Sequence, residues 1–122
     1  MKIVITGGNG YIGSRLSLYL SEKGHQVTAI CYPEIPFKKG WNNKIFQTIV
    51  GDITQKKTIE EVSKIGADVI IHLVSLDHFE SEKNPDFVSK INVQPTWNLL
   101  DICTKNGLKK FIYFSTIHVY GN

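Results

Sequence analysis

Three glycines at fixed spacing, Gly7, Gly10 and Gly13, stand between an apolar run and a helical pattern, and they narrow the folds open to this chain more than any other feature. Met1-Lys2-Ile3-Val4-Ile5-Thr6 is nearly continuous in apolar residues, the form of a parallel strand buried on both faces. From Tyr11 to Lys23 the apolar residues Ile12, Leu16, Tyr19 and Leu20 recur at helical spacing, and Gly24 stands where a helix would be capped. In such a strand, turn and helix, Gly7 permits the tight turn and Gly10 lets the backbone approach a pyrophosphate. Gly13 lets the helix pack closely on the strand, and the helix N-terminus offers unpaired amides and partial positive charge. A glycine-rich turn without a ligand would share the spacing; the flanking strand and helix are what make it specific.

The rest of the chain alternates in the same way. Gln26 to Cys31 reads as a second strand, and the stretch with Pro33, Pro36 and Gly40 after it as a loop. Lys44 to Val50 suggests a third strand, ending at Gly51-Asp52, and Thr54 to Ile65 a short helix. Ala67 to Val74 is the fourth strand. Asn84 to Asn106 is the longest helical pattern, with Phe87, Ile91, Val93, Trp97, Leu100 and Ile102 available for the core and Gly107 as its stop. Pro95 interrupts it and predicts a kink near Ile91, whose carbonyl it would meet. Phe111 to Ser115 forms a fifth strand. Strands alternating with crossover helices mean an α/β fold, a Rossmann-type parallel sheet in the order 3-2-1-4-5 with helices on both faces.

Composition closes off other classes. The chain has 122 residues and 42% apolar content, enough for one domain. A net charge of +3, with basic residues no more clustered than Lys38-Lys39, Lys56-Lys57 and Lys109-Lys110, argues against nucleic acid as a partner. Cys31 and Cys103 lack the neighbours of a metal site or disulfide framework. No apolar run approaches the roughly 20 residues of a membrane span, and a first strand beginning at Lys2 leaves no room for a signal peptide, so a soluble, cytoplasmic protein is expected.

The spacing Thr6-Gly7-x-x-Gly10-x-x-Gly13 resembles that of the extended short-chain dehydrogenases/reductases, the group of nucleotide-sugar epimerases and dehydratases. Four further segments agree in order: Gly51-Asp52-Ile53, Ile71-His72-Leu73-Val74, Asn92 through Leu100, and Phe114-Ser115-Thr116-Ile117-His118-Val119-Tyr120-Gly121. The resemblance implies that Gly7, Gly10, Tyr11, Ile12 and Gly13 hold the dinucleotide at the turn. It implies that Asp52 and Ile53 meet the adenine, and that Leu73, Val74 and Ser75 line the adenosine and ribose side. Asn92, with Thr96, would face the cofactor on the long helix, and Thr116 matches the serine or threonine that assists catalysis by hydrogen bonding. Each has a plainer alternative: a helix cap for Asp52, ordinary core for Leu73 and Val74, a bond to a carbonyl freed by the kink for Asn92, a satisfied turn for Thr116. The expected cofactor is NAD or NADP, with NAD slightly favoured, and no metal. A nucleotide sugar is the expected substrate of the complete enzyme, and a homodimer pairing through the long helix is implied.

The chain also departs from the pattern. Where relatives that use NAD place an acidic residue at the end of strand two, this sequence has Cys31, and no arginine stands there for a 2′-phosphate. Lys38 and Lys39 follow, either as phosphate-attracting groups or as plain surface. Pro95 stands where many relatives have glycine. The family's proton-exchanging tyrosine, with a lysine four residues on, is expected beyond Tyr120-Gly121, so the chain reads as an incomplete dinucleotide-binding domain, inactive alone. Tyr19 and Lys23 match that spacing by chance, with Tyr19 expected in the core. Asp77, His78 and His118 are candidates for the substrate side. A non-catalytic dinucleotide-binding sensor or assembly module is the alternative reading.

Overall fold

The computed structural model describes residues 1–116, apart from the side chain of His78. His118 and Tyr120-Gly121 lie outside the described residues. The strands β1 (Lys2–Thr6), β2 (Gln26–Cys31), β3 (Gln47–Val50), β4 (Val69–His72) and β5 (Lys110–Tyr113) form one sheet in the order β3-β2-β1-β4-β5, as the alternation predicts. All pairs are parallel, and the register sets Thr6 beside both Ile30 and His72. The helices are α1 (Tyr11–Glu22), α2 (Lys56–Lys64), α3 (His78–Lys83), α4 (Pro85–Val88) and α5 (Gln94–Lys105).

Alternation along each buried strand feeds both faces. Val4, Ile30 and Ile70 pack with Ile59 and Val62 of α2 and Leu99 and Cys103 of α5. On the other face Ile3, Ile5, Val27 and Ile71 meet Leu16 and Leu20 of α1. Burying a side chain of this size stabilises the fold by roughly 1.5–3 kcal/mol, so these two layers hold the sheet together. The buried residues of α1 are small, Gly13, Ser14 and Ser17, which brings the helix close to the strands. Asp68 joins the starts of three strands: its carboxylate accepts from Lys2 N (2.8 Å) and pairs with Lys109 Nζ (2.7 Å).

The structure corrects several expectations. Strand β3 begins only at Gln47; before it, a 3-10 turn (Asn42–Lys44) follows Trp41, which is buried while Phe46 is exposed. Tyr19 is 56% exposed, with Lys23 Nζ 5.4 Å from its ring centroid, and is not core. The long helical pattern is also interrupted: α4 runs into a π turn (Ser89–Val93), in which Gln94 N–H bonds Ser89 O, and then into α5 with Pro95 near its start. The irregularity falls where the proline predicted it. A π turn adds a residue to the helical ladder and rotates the phase of the residues beyond it. The buried stripe of α5 is therefore Pro95, Leu99 and Cys103, while Phe87, Val93 and Trp97, expected in the core, are exposed.

Candidate functional site

The chain between β1 and α1 is held by its own backbone. Gly7 has φ +69°, a left-handed conformation that glycine adopts without strain, and its carbonyl accepts from Gly10 N–H (3.0 Å). A Cβ on Gly13 would stand 2.1 Å from Gly7 O, so only glycine lets α1 start here. Gly10, the residue before α1, has φ −72° and ψ 177°, and no side chain caps the helix; its first turn carries no acidic residue. The α1 N-terminus therefore has the unsatisfied amides and positive end of the helix dipole that suit an anion.

This turn opens onto a cavity of about 860 Å³ at the C-terminal ends of β1, β4 and β5. Gly7, Gly10, Tyr11, Ile12 and Gly13 form one wall; Leu73, Ser75 and Asn92 form another; Tyr113, Ser115 and Thr116 close the third. The sequence singles out most of these residues separately, and the fold brings them together. Tyr11 is 77% exposed at the mouth, with the Arg15 guanidinium 3.8 Å over its ring.

The remaining predicted residues are placed otherwise. Ile53 is buried among the core residues against α2, and Val74 packs against the same cluster. Asp52 Oδ1 accepts from Thr54 N–H (2.8 Å), so one carboxylate oxygen shapes the turn before α2; the N-cap of α2 is Gln55, not Asp52. Asn92 takes no freed carbonyl: its Oδ1 accepts from Leu76 N–H (2.7 Å), latching the segment after β4 to the π turn. Thr96 instead donates to Asn92 O (3.0 Å). Asp77 also borders the cavity, but its Oδ1 caps α3 by accepting from Glu80 N–H (2.9 Å). The Asp77-x-x-Glu80 spacing was the signal for this cap. Tyr19 lies on α1 and Lys23 caps its C-terminal end, and neither lines the cavity.

Two arrangements had no reading in the sequence. His72 is fully buried at the end of β4, with Nδ1 2.6 Å from Thr6 Oγ1, and the same oxygen accepts from Leu73 N–H (3.2 Å). Burial pushes the imidazole pKa down to about 4, so the ring is neutral and the bond ties β1 to β4 where the cavity begins. Asn9, inside the glycine turn, reaches the loop after β2: its Nδ2 donates to Tyr32 O (2.9 Å) and Ile35 O (2.7 Å), and its Oδ1 accepts from Tyr32 N–H (3.0 Å). Nothing local signals either contact, since each joins residues far apart in sequence.

The sequence matches the NAD dependent epimerase/dehydratase family over residues 3–122. It is 34% identical over 130 residues to the dTDP-D-glucose 4,6-dehydratase of Dictyostelium discoideum, spanning 99% of this chain and 30% of that protein. With the UDP-glucose 4-epimerase of Klebsiella pneumoniae it is 32% identical, over 100% of this chain and 94% of that sequence. Among solved structures, the UDP-glucose 4-epimerase of Thermotoga maritima with UDP-glucose has a TM-score of 0.83 and 28% identity, over 95% of this chain and 38% of that one. The chain thus spans about a third of the length of the Dictyostelium and Thermotoga proteins.

Proposed function

This chain belongs to the NAD dependent epimerase/dehydratase family, and from that premise we propose that residues 1–122 are the dinucleotide-binding part of an enzyme that epimerises, dehydrates or reduces a nucleotide sugar. The observation that carries the reading is Gly10. Its φ of −72° and ψ of 177° suit any residue, and a Cβ there would meet only Gly7 O, at 3.2 Å. A side chain here needs Gly7 O to give by only a few tenths of an ångström, a smaller demand than at Gly13, whereas a pyrophosphate lying against the α1 amides needs the space a side chain would take.

The residues present fit the cofactor. Main-chain N–H groups at Tyr11, Ile12 and Gly13 would hold the pyrophosphate; Leu73 and Ser75 would flank the adenosine and ribose, with Asp52 at the adenine, whereas Ile53 and Val74 pack in the core. Asn92 would act through the segment it latches. When bound, the dinucleotide would supply hydride exchange with the sugar. The Thr116 hydroxyl would hold the reacting oxygen of the substrate by a hydrogen bond, at the cavity wall opposite the glycine turn. The cofactor read here is NAD, because no arginine stands at the end of β2 to receive a 2′-phosphate. The proton-exchanging tyrosine and lysine of such enzymes have no counterpart at this cavity among the described residues, so the chain by itself binds without turnover. The exposed Phe87, Val93 and Trp97 support the pairing of two copies along the long helical arm.

A thermal-shift titration tests the reading. NAD at about a hundred times its dissociation constant stabilises the chain by roughly 2.7 kcal/mol. An unmoved melting temperature with both NAD and NADP at millimolar concentration would sink it.

A further inference from the structure

Cys31 ends β2, where an acidic side chain would ordinarily reach the adenosine ribose. It cannot substitute for one. The side chain is fully buried against Trp41 and Ile45, and that burial pushes the thiol pKa up to about 11, leaving it uncharged. The nearest acidic residue along the chain is Glu34, three positions later, at a tight turn. Ile35 N–H bonds Tyr32 O (3.2 Å), closing a β-turn with Pro33 and Glu34 at its corner; Glu34 does not have positive φ, so the turn is of type I.

Both ends of that turn are pinned to the residue preceding Gly10. Asn9 holds Tyr32 by its N–H and its carbonyl, and Ile35 by its carbonyl. Gly8 N–H adds a bond to Ile30 O (2.8 Å), and a Cβ on Gly8 would stand 2.5 Å from that of Ala29. The β-turn is therefore fixed beside the glycine turn, and its corner residue is exposed. Lys38 and Lys39 belong to a separate turn, closed by Trp41 N–H on Lys38 O and tied by Phe37 stacking on Trp41.

We propose that Glu34 is the acidic group that meets the adenosine ribose, carried there by the turn that Asn9 pins, and that it makes this chain prefer NAD to NADP. The inference rests on the dinucleotide reading above. A carboxylate accepting from ribose hydroxyls favours NAD, and it repels the 2′-phosphate of NADP.

Dissociation constants for NAD and NADP, measured by calorimetric titration of the chain and of Glu34→Gln and Asn9→Ala, test it. Glu34→Gln should leave the melting temperature unchanged and lower the NADP-to-NAD ratio of dissociation constants by about tenfold or more. Asn9→Ala should lower the same ratio although Glu34 is retained. A ratio unmoved by Glu34→Gln while both cofactors bind would overturn this inference and leave the dinucleotide reading standing; a ratio unmoved by Asn9→Ala would overturn the pinning argument. A chain that binds neither cofactor overturns both readings.

Discussion

Replacing Gly13 with alanine places a methyl carbon where three main-chain atoms already stand. The new Cβ would lie 2.1 Å from Gly7 O, 2.9 Å from Gly7 C and 3.0 Å from Gly8 Cα. No rotamer change can relieve a contact between backbone atoms, so α1 must lift, or the turn must open, by more than about 1 Å to restore ordinary separation. Lifting α1 disturbs the close layer at Ser14 and Ser17 and the bond from Trp41 Nε1 to Ser14 O (2.8 Å). Overpacking costs about 1–3 kcal/mol, and a clash confined to backbone belongs at the upper end. For a domain of this size that is a fall in Tm of roughly 10 °C or more. Gly24→Ala is the control. There φ is +84° with nothing within 4 Å of a Cβ, so only left-handed strain is added, about 1–2 kcal/mol. Calorimetric melts of the two variants decide the matter, and Gly13→Ala melting no lower than Gly24→Ala would refute the close-packing argument.

The site yields two further outcomes. The folded-state pKa of His72, about 4, lies below the ordinary 6.5, so the unfolded chain takes up the proton first as the pH falls. The stability is complete above pH 6.5 and falls by up to about 3 kcal/mol between there and pH 4; denaturant titrations at pH 7 and 4.5 should show His72→Gln losing less over that interval than the parent, and equal losses would remove His72 from the account. Asn92→Ala leaves the Leu76 amide without its acceptor, a loss of about 1 kcal/mol. Hydrogen exchange at Leu76 should quicken in Asn92→Ala and stay slow in Asn92→Asp, which keeps the oxygen; equal exchange rates in all three proteins would count against the latch.

Local periodicity and turn chemistry determine the part of the fold that is legible in the sequence. Strands β1 and β2 and helix α1 fall within a residue of expectation, because apolar runs and glycine punctuation fix them. The sheet order comes from crossover handedness. The long helix departs in phase from its apolar pattern because the π turn before Pro95 shifts the ladder, and six apolar candidates cannot share one stripe; size favours Trp97, yet the fold buries Leu99 and Cys103. At the site, Gly7, Gly10 and Gly13 declare themselves by spacing, and Thr116 by its place after a strand. Asn9 and the Thr6–His72 pair stay hidden, since their partners lie far along the chain and meet only when the sheet is formed.

The central claim is that Gly10 is glycine for the sake of a dinucleotide. Calorimetric titration of NAD into the chain and into Gly10→Ala, with a melt of each, tests it most directly. The conformation at Gly10 accepts alanine, and Gly7 O, 3.2 Å from the added carbon, need give by only a few tenths of an ångström, so stability should change by no more than about 1 kcal/mol, while affinity for NAD falls by about tenfold or more. Equal affinity in the two proteins would contradict the claim.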